Sequence, residues 1–257
     1  MNWYRIKTVL IILFAAINLF LATLLCASQF KMKTQEKEKI QSAVNVLSAS
    51  GIRVSCDVPY KTERLRVLTL ENPKADPAAF AAAVLGGKVT RLGESYRREG
   101  KVLTFLEKGF YYDSGVQSVN PEKSSISEME KALSALGFRT DFIHGYIEGN
   151  AVVFTQKIDS VFLFDCRLLA YPAENGSIAR LEGTWAEIPR PEGERKKTQS
   201  AADALLSFLQ AGNREEIVHV ECGYAVLSKE KGYRTADAVP VWAITTIDGK
   251  VHYFDAR

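Results

Sequence analysis

From Val9 to Ala27, nineteen consecutive residues carry no charge, and only Asn18 and Thr23 among them are strongly polar. A helix of that length rises about 28 Å, close to the roughly 30 Å hydrocarbon core of a bilayer. The apolar region of a cleaved signal peptide is shorter, about 7 to 15 residues, and ends in a small-x-small site. Here the exit is Leu24-Leu25-Cys26-Ala27-Ser28, with only a weak site after Ser28. The segment is read as a retained membrane anchor, with cleavage as the alternative. Beyond it, residues 28–39 are mostly polar, and then Ile40, Val44 and Leu47 return at helical spacing before Gly51. That pattern predicts a stalk whose last turns dock onto a folded domain.

Alternation takes over next. "IRVSCDVP" places Ile52, Val54, Cys56 and Val58 on one face of a predicted strand, and "RLRVLTLE" reads as a second strand. Asp76-Pro77 is an N-cap followed by a proline at the first helical position, opening a helix that stops at Gly86-Gly87. "SYRREGKVLTFLEKGFYY" predicts two strands around a turn near Gly100. Ser125-x-x-Glu128 is a capping box, and Ile126, Met129, Leu133 and Leu136 line one face of the helix it opens. Residues 139–188 read as strands, with turn signals at Gly149-Asn150 and Asn175-Gly176. "PRPEGERKKTQ" is the most linker-like stretch; Ser200 then caps a helix to Gly212, and two strand regions close the chain around Asp248-Gly249.

One internal echo stands out. "VLSASGIRV" at 46–54 and "ALSALGFRT" at 132–140 agree at five places, each at the end of a predicted helix. The expected fold is α+β: one N-terminal transmembrane helix, then an ectodomain of repeated helix-plus-antiparallel-sheet units. The expected boundaries are a tail at 1–8, the span at 9–27, the stalk at 28–39, and helix-plus-sheet regions at 40–190 and 191–257.

Charge narrows the partners. Of the net +3, Arg5 and Lys7 supply two, so the rest is near neutral and leaves no electrostatic footprint for nucleic acid. Arg5 and Lys7 precede the span, whereas Lys31, Lys33, Lys37 and Lys39 follow it. The plain count slightly favours the opposite orientation, but long domains translocate largely regardless of it. The expected orientation is a cytoplasmic N-terminus and an extracytoplasmic C-terminal domain in the cell membrane. Trp3, Arg5 and Lys7 suit a membrane-interface anchor in the lipid bilayer. Asn18 is costly in mid-bilayer unless a neighbouring helix offers a partner, an interaction worth about 0.6 to 2 kcal/mol.

No chemistry is legible. His144, His219 and His252 are far apart, and neither HExxH nor Cys/His zinc spacing occurs. There is no GxSxG elbow, P-loop or EF-hand, and the paired carboxylates have turn or capping positions. Cys56, Cys166 and Cys222 sit in strand-like runs and read as small buried apolar residues, although one bridge with one leftover thiol also fits. The residues point to a non-enzyme, with no cofactor and no metal.

Both ends of the chain resemble the YycI (WalI) family, regulators of the Gram-positive YycF/YycG two-component system. The N-terminal likeness is Met1, Trp3, Lys7, Thr8, Asn18, Leu19, Phe20 and Leu21, in "MNWYRIKTVLIILFAAINLFL". The C-terminal likeness is Gly223, Tyr224, Pro240, Trp242, Gly249, Tyr253 and Phe254, in the closing strands. The resemblance implies a non-catalytic, membrane-anchored extracytoplasmic protein that modulates a sensor histidine kinase of the YycG type and associates with a YycH-type regulator as a hetero-oligomer. It implies that Asn18, Phe20 and Leu21 meet the partner's transmembrane helices. Two other classes remain open: an extracytoplasmic inhibitor or chaperone of an exported wall hydrolase or protease, built from units similar to PepSY modules, and an anchored wall-modifying enzyme.

Overall fold

The computed structural model describes residues 3–72, 75–121, 125–188, 193–226 and 235–257, with the side chains of 3–6 and 25–33 left outside the description. The contacts group the chain into two compact units of interleaved segments. Unit 1 holds 1–62, 199–221 and 244–254; unit 2 holds 63–198, 222–243 and 255–257. Whereas the sequence pattern divides the folded part near residue 190, the contacts join residues 40–62 to the helix and strands near the C-terminus.

Unit 1 is organised by α1 (Trp3–Ala49), one helix through the apolar run, the polar stretch and the docked turns. Its 18-residue window Lys7–Leu24 is long and apolar enough to cross a membrane, and none of it is buried against the protein. Nearer its end, Ala43 and Leu47 are buried while Ile40 and Val44 are half-buried, the helical spacing expected of a docked face. They pack against α4 (Ala201–Gln210), which Ser200 opens with a capping box to Asp203 and whose Leu205 and Phe208 are fully buried. Beside these lie the start of β12 (Ile217–Val226), the end of β13 (Thr235–Thr246) and β14 (Val251–Asp255), joined in the hairpin around Asp248-Gly249. The strand expected at 52–58 does not form. Only Val54 makes a parallel bridge, to Ile217, with Ser55 donating to the Ile217 carbonyl and Ile217 to that of Arg53. Alternation made the stretch look like a strand, but it meets only the first residue of β12.

Unit 2 is built on a sheet. Its strands run in the order β12 (from Cys222), β9 (Val161–Pro172), β10 (Ile178–Gly183), β6 (Phe110–Asp113), β5 (Lys101–Phe105), β4 (Ser95–Arg98) and β3 (Thr90–Leu92). β8 (Ala151–Ile158) pairs with both β7 (Ile143–Glu148) and β9, and β2 (Leu68–Glu71) pairs with β13. "RLRVLTLE" is therefore two short strands, β1 (Arg64–Leu65) and β2, and β1 pairs with β11 (Lys196–Lys197) inside the linker-like stretch. "SYRREGKVLTFLEKGFYY" forms three strands rather than two. Helices α2 (Pro77–Leu85) and α3 (Ile126–Ala135) carry the caps expected at Asp76 and at Ser125 with Glu128. They bury Ala81, Leu85, Met129 and Leu133 against Leu103, Phe110, Tyr112, Phe154, Leu168 and Trp185.

Candidate functional site

The span presents every described side chain outward, so its faces are set by helix geometry alone. At 3.6 residues per turn, Asn18 and Phe20 point to nearly opposite sides of α1, with Leu21 between them. The three positions therefore do not form one patch. They bracket a ridge centred on Leu21 and Ile17, with Asn18 on one flank and Phe20 on the other. Lys7 is exposed at the start of the span; the side chains of Trp3 and Arg5 lie outside the described residues.

The C-terminal motif residues are mostly parts of the fold. Gly223 pairs with Phe162 in the parallel contact of β12 with β9. A Cβ there would lie 2.6 Å from the Phe162 carbonyl oxygen and 2.5 Å from the Phe164 ring, so only glycine lets the strands approach. Tyr224 is fully buried, and its hydroxyl accepts a hydrogen bond from the Arg66 backbone N–H at 3.4 Å. Burial pushes its phenol up to about 12. Nearby, Asp159 holds two guanidinium groups, Arg66 at 3.3 Å and Arg195. Both Asp159 and Ser160 have positive φ, in the two-residue turn joining β8 to β9. Aspartate tolerates that region better than most residues, and here its carboxylate is also fixed by the paired arginines.

Pro240 is buried, and its carbonyl accepts from Ala256 N–H at 3.0 Å; Trp242 is also buried. Gly249 sits at φ +80° in the β13–β14 turn. Phe254 meets the ring of Phe208 with centroids 6.3 Å apart, and Tyr253 is the motif aromatic that faces solvent, 39% exposed. Outside the motif, the aromatic side chains of Phe110, Tyr112 and Trp185 are also buried.

Of the described cysteines, Cys166 and Cys222 are buried and Cys56 is half-buried. Burial moves the Cys56 and Cys166 thiols upward, away from the reactive thiolate, and Asp57 and Asp165 add to it. Among the described residues no group of three or more His, Cys, Asp and Glu side chains is placed to hold a metal ion.

A protein-family model described as "YycI protein" matches residues 30–257. The chain therefore belongs to the YycI family, which ties it to regulation of the YycF/YycG two-component system. The match rests on the folded part; the Met-x-Trp start and the span precede it. No curated protein sequence matches the chain. Among solved structures, one of an uncharacterized protein from Eubacterium rectale is similar at a TM-score of 0.40 and 10% identity, covering 79% of this chain and 86% of that one.

Proposed function

We propose that this YycI-family chain is a single-pass membrane protein, N-terminus cytoplasmic and folded part extracytoplasmic, that regulates a YycG-type sensor histidine kinase by binding rather than by catalysis. It would do so together with a YycH-type regulator, through both its membrane helix and its folded part. The observation that carries this reading is α1. A single helix runs from the apolar window at Lys7–Leu24 to the buried Ala43 and Leu47, without a break at the polar stretch. A helix fixed at one end in a core and exposed along its membrane segment couples the two mechanically. A partner helix that binds the span then sees the state of the folded unit, and the folded unit sees the partner.

Mild-detergent co-purification tests this, comparing the tagged full-length protein with a version whose residues 1–28 are replaced by an unrelated anchor. Recovery of the kinase only with the native helix is expected. Recovery of an exported hydrolase by both versions, without the kinase, would instead favour the inhibitor or chaperone reading. Within the span, Asn18→Leu is expected to reduce kinase recovery about three- to tenfold, the value of one interhelical hydrogen bond. Unchanged recovery would remove Asn18 from the contact.

A further inference from the structure

The linker-like stretch carries a charge pattern that the regulatory reading leaves unused. Its β11 pairs with β1 in the register Arg64↔Lys197 and Leu65↔Lys196, and the backbone N–H of Thr198 continues it by donating to the Glu63 carbonyl at 2.9 Å. Residues opposite each other in such a ladder share a face, and neighbours along a strand alternate. Leu65 is buried, so its face turns to the core, while Arg64 and Lys197 are exposed on the other. One step on, Arg66 and Arg195 fall on that same outer face, where both hold Asp159, Arg66 at 3.3 Å. Alternation sends Glu63 and Glu194 to the opposite face. Four cations thus stand on the outer face of two short strands, about 7 Å apart along each. They surround one carboxylate, which is 10% exposed. Arg64 directly opposite Lys197 is a like-charge pair, which weakens a ladder. The ladder has only two paired positions, so the fold gives no reason for that pair.

We propose that this face binds a phosphate-bearing polyanion, a soluble chain with phosphodiester groups repeated along it. The choice of anion follows from the donors. Asp159 fixes two guanidinium groups side by side, and the Arg66 N–H is itself tied to the buried Tyr224 hydroxyl. Arginines held in this way present forked donors with little left to order on binding, and the fork fits phosphate oxygens. Arg195 is exposed and carries the fork outward. Arg64 and Lys197 lie two residues further along the ribbon, so successive anionic groups of one chain meet successive cation pairs. A single small anion would engage one pair and leave the like charges of the other facing each other. A bilayer surface is a poorer match, because membrane-binding faces set leucine or aromatic side chains among the cations, whereas Leu65 is buried. Neither strand carries an aromatic ring to stack a nucleobase. The proposal is independent of the contact with the kinase.

The test is fluorescence anisotropy with the full-length protein in neutral-lipid nanodiscs and a labelled oligomer of about ten glycerol phosphate units, a phosphodiester chain without base or acyl group. Binding is expected, weakening as salt rises with a slope that reports the phosphates engaged. Arg64→Glu is expected to weaken it about tenfold and to lower the salt slope by about one. Lys131→Glu, the same charge change on the exposed side of α3, is expected to leave affinity within about twofold. Because Arg64→Glu replaces a like-charge pair by an opposite one, amide exchange of peptides covering 63–66 and 194–197 is expected to slow about twofold, which separates lost binding from lost folding. No salt-dependent binding by the wild type, or an equal loss in both variants, would overturn the site. Equal binding of a polyglutamate of the same charge would overturn the choice of phosphate. Protection of the two peptides in phosphatidylglycerol nanodiscs, with none from the oligomer in neutral ones, would give the face to the membrane instead and overturn the soluble chain.

Discussion

The helices α1 and α3 end in nearly the same letters, "VLSASGIRV" and "ALSALGFRT", and the ends lead to different places. Up to the glycine the two are the same device. Ile52 donates to the Leu47 carbonyl at 2.9 Å and Phe138 to that of Leu133 at 3.3 Å, while Gly51 and Gly137 donate to Ser48 and Ser134. Both glycines lie in the left-handed region, at φ +81° and +88°, and both leucines are fully buried. This is a Schellman stop: it satisfies two terminal carbonyls and points the next apolar residue inward. After the glycine the ends part. Phe138 enters an aromatic cluster, 5.7 Å from Trp185 and 5.8 Å from both Phe80 and Phe110 by ring centroids. Ile52 is buried in unit 1, and the chain then makes a single bridge to Ile217. The echo is thus a shared way of stopping a docked helix. Helix α2 stops by the same bonds, Gly87 to Ala82 and Gly86 to Ala83, without sharing the letters. Five identities of this kind need no duplicated domain to explain them.

If the two ends differ in what they bury, they differ in what their loss costs. Phe138→Ala removes an aromatic ring packed on three others and is expected to destabilise unit 2 by about 3–5 kcal/mol. Ile52→Ala is expected to cost unit 1 about 2–4 kcal/mol. Hydrogen exchange of peptides from each unit, in the full-length protein in detergent, reads the two losses separately. Equal losses would mean that the aromatic cluster adds nothing beyond burial. The device itself should respond alike. A Cβ at Gly51 meets nothing within 4 Å, and one at Gly137 comes no closer than 3.9 Å to Ala83. Only backbone strain remains, so Gly51→Ala and Gly137→Ala are each expected to cost about 1 kcal/mol. A loss at one end several times that at the other would show that the stops are not equivalent.

These ends also mark where the sequence is legible. Local signals read well because their chemistry lies within a few residues: the caps at Asp76, Ser125 and Ser200, and the glycine stops. What failed needed a distant partner. "IRVSCDV" alternates as a strand should, yet only Val54 finds a neighbour, 163 positions away at Ile217. The Asp159-Ser160 turn carries no glycine, and its aspartate is held by Arg66 and Arg195, which no local pattern connects to it. The candidate site divides the same way. Gly223 and Tyr224 are visible as a motif, but their work depends on Phe162 and Arg66, both far off in the chain. The angle between Asn18 and Phe20, by contrast, needs nothing beyond helix geometry, and the ridge through Leu21 follows from it.

The smallest expected effect separates the units by pH. Burial raises the phenols of Tyr112 and Tyr224, both in unit 2, and brings Tyr224 to about 12. A phenol whose folded pKa lies above its usual value near 10 favours the folded state as long as it keeps its proton. That contribution is fully present below pH 10 and is lost as the pH rises through the folded value, because the unfolded chain ionises first. Unit 2 is therefore expected to lose stability between pH 10 and about 12 more steeply than unit 1. Tyr224→Phe forgoes one hydrogen bond to the Arg66 backbone, about 1 kcal/mol near neutrality, and should flatten that slope. Denaturant titrations of the wild type and the variant across this range, with hydrogen exchange assigning the loss to a unit, measure it. An unchanged slope in the variant would move the alkaline sensitivity from Tyr224 to the other groups of unit 2 that burial raises, Tyr111, Tyr112 and Cys166. The parallel contact of β12 with β9 would then owe its strength to the close approach at Gly223 rather than to the phenol beside it.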